Sequence, residues 1–159
     1  MKKIALFLMV VFALSVSLPV AAQQEPTDSD MQILLEKIKA DKKLLVASNM
    51  KLSDAEAKKF WPVYDDYQAE LKKLNKRVAV LIDDYATAYN NDSMTDAKAK
   101  KMISEMVAIY QSEASMKKSF VPKLYKALPA VKVARYLQLE NKIRAALRYE
   151  LAEAVPLVK

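Results

Sequence analysis

Phe60, Tyr64, Tyr67, Leu71, Leu74, Val78, Leu81 and Tyr85 follow one another at spacings of 4-3-4-3-4-3-4. That period is the seam of left-handed helix packing, and a strand, whose faces alternate every second residue, cannot use it. It predicts one helix over about 54–89, roughly 50 Å long at 1.5 Å per residue. Ser53-Asp54-Ala55-Glu56 opens it as a capping box, in which serine and glutamate each satisfy the other's free amide. Pro62 falls in the third turn and predicts a kink, because its ring removes an internal hydrogen bond. The chain contains no Gly, which tight strand hairpins need, so the fold class expected is all-α.

Three further helices follow from the same logic. Met31, Leu34, Leu35, Ile38 and Leu45 predict a helix over about 30–47. Ser48-Asn49-Met50-Lys51 ends it, with Asn49 the best substitute for Gly at a left-handed C-cap. After the turn Asn90-Asn91-Asp92-Ser93, Thr95 caps a helix over about 96–126. Its seam reads Ala99, Met102, Met106, Ile109, Glu113, Met116, Phe120, and Pro122 is expected to bend or end it. Leu128-Pro129 precedes a helix over about 130–153 with Val133, Leu137, Ile143, Leu147 and Leu151 apolar. The apolar tail Ala154-Val155-Pro156-Leu157-Val158 is expected to pack back on a groove or a partner. Glu113 is the polar residue on a seam: it pairs with a buried cation, or that stretch is wet, or the helix is rotated so that Glu113 clears the seam.

Residues 1–22 read as a secretory signal peptide. Lys2 and Lys3 precede an apolar run from Ile4 to Leu18, and Pro19-Val20-Ala21-Ala22 supplies small residues for cleavage after Ala22. The alternative, an uncleaved anchor, needs about 20 apolar residues, more than this run offers. No Cys stands at the junction to carry a lipid. Residues 23–29 are then a polar, disordered linker and 30–159 a helical domain, placed in the periplasm. Without Lys2 and Lys3 the formal charge of +7 becomes +5. In an exported protein that balance points to anionic membrane surfaces or acidic polypeptide segments rather than nucleic acid.

The chain has no His and no Cys. That removes the usual general base near neutral pH, the commonest transition-metal ligand and any disulfide. No phosphate-cradling glycine loop exists either. Asp65-Asp66 and Asp83-Asp84 are paired carboxylates, but neighbours on a helix point about 100° apart and do not converge on one atom. Met102, Met106 and Met116 have the thioethers that Cu(I) takes, yet they lie on a helix seam and read as core. No enzyme activity, cofactor or metal site is expected.

Leu52–Phe60 reads LSDAEAKKF and Met94–Met102 reads MTDAKAKKM, with five of nine positions identical at an offset of 42 residues. Six heptads separate the two, so the seams superpose, Phe60 on Met102 and Leu74 on Met116. A hydrophobe, Ser or Thr and two spacers opening a long helix, twice over, resembles the Spy/CpxP-like (LTxxQ) periplasmic family, including proteins labelled periplasmic heavy-metal sensors. Lys59-Phe60-Trp61-Pro62-Val63-Tyr64, with Leu128-Pro129, Ala134-Arg135-Tyr136 and Glu140-Asn141-Lys142-Ile143-Arg144, resembles its Spy-like branch. Leu52, Ser53 and Glu56, then Met94 and Thr95, carry the two helix-cap motifs. Glu56 and Lys98 stand where the family motif has Gln, and Lys98 cannot accept a hydrogen bond from Thr95. The resemblance implies elongated, bent helical hairpins of four helices, often an antiparallel dimer. It further implies an ATP-independent holdase for unfolded or partly folded clients, or a sensor partner in an envelope stress circuit.

Lys132, Arg135, Lys142, Arg144 and Arg148 make the last helix basic, and Trp61 and Tyr64 could add apolar contact. These seven are the candidate client- or partner-binding residues. A homodimer is expected, since a seam of this length exceeds what its own neighbours easily cover.

Overall fold

The computed structural model describes residues 42–158. They form four helices: α1, described over 42–50; α2, Asp54–Asn90; α3, Asp96–Ala127; and α4, Ala130–Ala154. No strand occurs among the described residues, so the fold is all-α. The expected signal peptide, linker and Met31–Ile38 stripe lie outside the described residues.

α2 and α3 form an antiparallel hairpin, the most extensive pairing of elements. Arg77 Nε reaches Glu105 at 2.8 Å, while Tyr67 lies 5.3 Å from Phe120. α4 runs parallel to α2, with Gln68 beside Glu140 and Tyr85 Oη donating to the Pro156 carbonyl at 2.8 Å. α1 runs antiparallel to both, from Lys42 beside Gln68 to Asn49 beside Arg135. All four helices therefore meet over the first half of α2. The core sits there: Val46, Met50, Phe60, Tyr64, Tyr67, Leu71, Phe120, Leu124, Leu128, Val133 and Tyr136. Edge-on aromatic contacts knit it, with Tyr136 5.1 Å from Phe60 and 5.9 Å from Tyr67.

The heptad seam of α2 is real but uneven. Phe60, Tyr64, Tyr67, Leu71 and Leu74 are buried, whereas Val78, Leu81 and Tyr85 are half-buried. Both members of the capping box are present: Ser53 Oγ accepts from the Glu56 amide and Glu56 Oε2 accepts from the Ser53 amide at 2.8 Å. Thr95 accepts from the Lys98 amide at 3.3 Å, but Lys98 sends its ammonium to the Ser93 carbonyl instead of completing a box.

The α2–α3 turn shows how a chain without glycine ends a helix. Ser93 N–H bonds the Ala88 carbonyl and Asp92 N–H bonds that of Tyr89, the paired bonds of a Schellman ending. The left-handed position that favours glycine is filled by Asp92 at φ 45°. Aspartate tolerates it better than most residues because its short polar side chain can bond locally.

Four expectations are corrected. α1 extends to Met50, and the left-handed residue after it is Lys51 at φ 46°, not Asn49; Asn49 stays helical and donates to the Leu45 carbonyl. Leu45 is 45% exposed, and the inward face of the described turns is Lys42, Val46 and Met50, four residues apart, so Leu45 is not one of its anchors. α3 runs through Pro122 to Ala127. Pro122 and Lys118, whose carbonyl loses its amide partner, are both exposed, so water can serve that carbonyl. α2 is helical through the exposed Pro62, over the span its seam predicts. Finally, the tail packs only in part within the chain: Val155 is half-buried and the Pro156 carbonyl accepts from Tyr85, while Leu157 is 90% exposed.

Candidate polypeptide-docking surface

Two buried ion clusters set the electrostatics of the helical unit. In the first, Glu113 on α3 holds Arg144 and Arg148 of α4 on one oxygen, Arg148 at 2.7 Å, and Lys117 on the other at 2.7 Å. Of the three readings open for Glu113, the buried cation is the one found. Burial pushes its carboxyl up, but hydrogen bonds from Lys117 and Arg144 prevail and hold it below the usual range. In the second, Glu140 accepts from Lys42 Nζ and from Gln68 Nε2, both at 2.8 Å. Burial lowers the Lys42 pKa despite the opposing pull of Glu140.

These clusters redistribute the residues singled out in the sequence. Tyr64 is buried, and Trp61 is half-buried against Phe60 and Tyr64, with Lys43 Nζ 5.2 Å from its ring centre. Arg144 points inward and bonds Glu113 and Asn75. Lys132 is paired with Glu56, and Arg135 Nε donates to the Asn49 carbonyl at 2.7 Å. Lys142 stays exposed. The basic residues of α4 thus do not form one open face beside Trp61 and Tyr64; most of them tie α4 to its neighbours.

The exposed apolar surface lies elsewhere. Ile103, Met106, Val107 and Tyr110 are 57, 39, 44 and 53% exposed and sit at i, i+3, i+4 and i+7 of α3. That spacing makes one stripe on one helix face. It is open because α3 turns another stripe, with Ile109, Glu113 and Phe120 buried, towards its neighbours. At one end the stripe meets charge: Arg148 lies 5.4 Å from the Tyr110 ring centre while also serving Glu113. At the other end Lys100 and Lys101 are exposed on the preceding turn. The sequence held the signal in Ile103, Val107 and Tyr110, but the heptad reading followed Met102, Met106 and Ile109; Met106, expected in the core, is 39% exposed and belongs to the open stripe.

An open groove of about 1010 Å³ between α2 and α3 is lined by Asp66, Glu70, Lys73, Ser112, Ser115 and Lys123 among others. Its carboxylates and ammoniums alternate in sign, which favours no single small ligand. The described residues contain no group of three or more carboxylates suited to a metal ion, and no described helix is long and apolar enough to cross a membrane. Compared with family models, curated proteins and solved structures, the chain matches none of them.

Proposed function

We propose that this is an exported, ATP-independent chaperone-like protein that holds unfolded or partly folded polypeptides against the α3 stripe. The observation that carries the reading is that stripe, four large apolar side chains in helical register left open to solvent. A soluble surface normally scatters such residues singly. The N-terminal export pattern supports a periplasmic site of action, and the net positive charge supports recruitment of acidic segments.

Magnitude favours transient holding over tight complex formation. Covering four half-exposed side chains yields about 1 kcal/mol each, roughly 4 kcal/mol together, before the cost of association. Association itself costs about 4 kcal/mol or more, so the stripe alone gives little net affinity, and charge and repeated contacts along a client must supply the rest. A second reading, a regulatory partner for an envelope sensor, is favoured by the brevity of the stripe. From Ile103 to Tyr110 the helix rises about 10 Å, enough for one short amphipathic segment.

The test is light scattering from several chemically denatured clients diluted with and without the protein beginning at Gln23, at low and high salt. Suppression of aggregation that weakens with salt supports the reading. No suppression at any ratio, together with one tight partner in a pull-down, transfers the argument to the regulatory reading.

A further inference from the structure

α1 is joined to α2 by only Lys51, Leu52 and Ser53. Lys51 sits in the left-handed region at φ 46°, where a residue with a Cβ is strained, and no glycine is available in this chain to relieve it. Beyond that hinge, α1 is a plug with its own socket. Lys42 Nζ bonds Glu140 Oε2 and Gln68 Oε1, both at 2.8 Å. Val46 and Met50 are buried with the aromatic cluster, and Lys43 pairs with Asp65 at 2.8 Å.

The socket is complementary to α1. Glu140 is 1% exposed with Lys42 seated against it, and its carboxylate takes its cation from α1. The socket therefore selects for one cation and two apolar anchors spaced four residues apart, a set that α1 of any copy of this chain supplies equally well. Short hinges under strain are where such exchanges arise.

We infer that this chain dimerises by exchanging α1, so that Lys42 of one copy pairs with Glu140 of the other. Every contact of α1 with the socket is remade in the exchanged form, and an opened hinge frees Lys51 from its left-handed conformation. What holds the closed form is local to the hinge: Lys132 Nζ on the Lys51 carbonyl at 3.1 Å and Arg135 Nε on the Asn49 carbonyl at 2.7 Å. Exchange is bimolecular, so protein concentration shifts the balance. The exchange does not depend on the client reading; if that reading holds, it places two α3 stripes in one particle and raises avidity for a long client.

The absence of cysteine makes the test direct. Lys43 and Asp65 are both exposed and meet across the α1–α2 contact. The single variants Lys43→Cys and Asp65→Cys are mixed and refolded together from urea over a range of concentrations. They are joined either by oxidation or by a short bismaleimide that spans the length of the lost lysine stem, so that the mixed disulfide is scored with its bismaleimide-linked equivalent. The inference predicts a link between the two different variants that grows with concentration. Adding Lys51→Gly, which relaxes the closed hinge, lowers that yield by about fivefold or more. Arg135→Ala, which unpins it, raises the yield. The inference is overturned if the mixed disulfide forms no faster than between Lys43→Cys and a remote exposed control such as Lys101→Cys. It is equally overturned if the double variant Lys43→Cys/Asp65→Cys yields only internally linked monomer at every concentration.

Discussion

The Arg144 guanidinium donates to the Glu113 carboxylate inside the helical unit, at the seam position of α3 that Leu71 fills on α2. Both side chains are almost wholly buried, so each is the other's replacement for water. Glu113 keeps Lys117 and Arg148 if Arg144 is lost, but Arg144 has no other carboxylate partner among the described residues. Removing Glu113 therefore leaves a buried cation uncompensated and costs about 3–5 kcal/mol, whereas replacing both with apolar groups of similar volume is often neutral or better. Glu113→Leu alone should lower the urea midpoint sharply, and Glu113→Leu with Arg144→Met should restore most of it. A double-variant loss equal to the sum of the two single losses would show that the pair is not coupled.

The same carboxylate sets the acid limb of stability. Burial raises the Glu113 pKa, but Lys117 and Arg144 more than offset this, so its folded value lies below that of the unfolded chain. The unfolded state then binds more protons between the two values, and stability rises with pH across that window. The stabilisation is present above the unfolded value of about 4.3 and is lost as pH falls through the folded one. Urea midpoints measured from pH 6 to pH 3 should fall more steeply for the native chain than for Glu113→Gln. Parallel curves would assign the acid limb to other carboxylates.

The core is confined to one end of the α2–α3 hairpin, and truncations should report this. Phe60→Ala should cost about 3–5 kcal/mol and Leu124→Ala about 2–5 kcal/mol. Val78→Ala and Leu81→Ala, at half-buried positions of the same heptad seam, should cost about 1 kcal/mol. Amide exchange should be slowest across Phe60–Leu71 and faster towards Asn90. A uniform cost along the seam would contradict the uneven packing.

The caps give a sharper local test, since Ser53 closes a reciprocal box and Thr95 a one-way cap. Ser53→Ala should cost about 1 kcal/mol, and Thr95→Ala less, read by thermal unfolding. The order reverses if Glu56 contributes nothing by reaching back.

The heptad seam, the capping box and the helix boundaries were legible because each depends on local periodicity and hydrogen bonding. What the sequence concealed was the direction of the polar residues on α4. Tyr136, Glu140 and Arg144 look like a solvated face, yet they turn inward, because Gln68, Lys42 and Glu113 on other elements receive them. Partners that far apart in sequence leave no local signal. For the same reason Trp61 and Tyr64 looked like docking residues, and the second stripe of α3 was overlooked beside the seam that matched the repeat. Of the two effects expected at Pro122, ending the helix is excluded, because its orphaned carbonyl faces water and α3 runs on to Ala127.

The central claim is that the α3 stripe holds polypeptide, and placing charge on the apolar stripe tests it most directly. Ile103→Asp with Val107→Asp changes two exposed side chains outside the packed core, so the thermal midpoint should move little. Titrating a fluorescently labelled, permanently unfolded acidic client with the native chain and with this variant measures the affinity of each. The account predicts a loss of at least about tenfold for the variant at unchanged thermal stability. Undiminished binding by a folded variant would contradict it and place the client elsewhere.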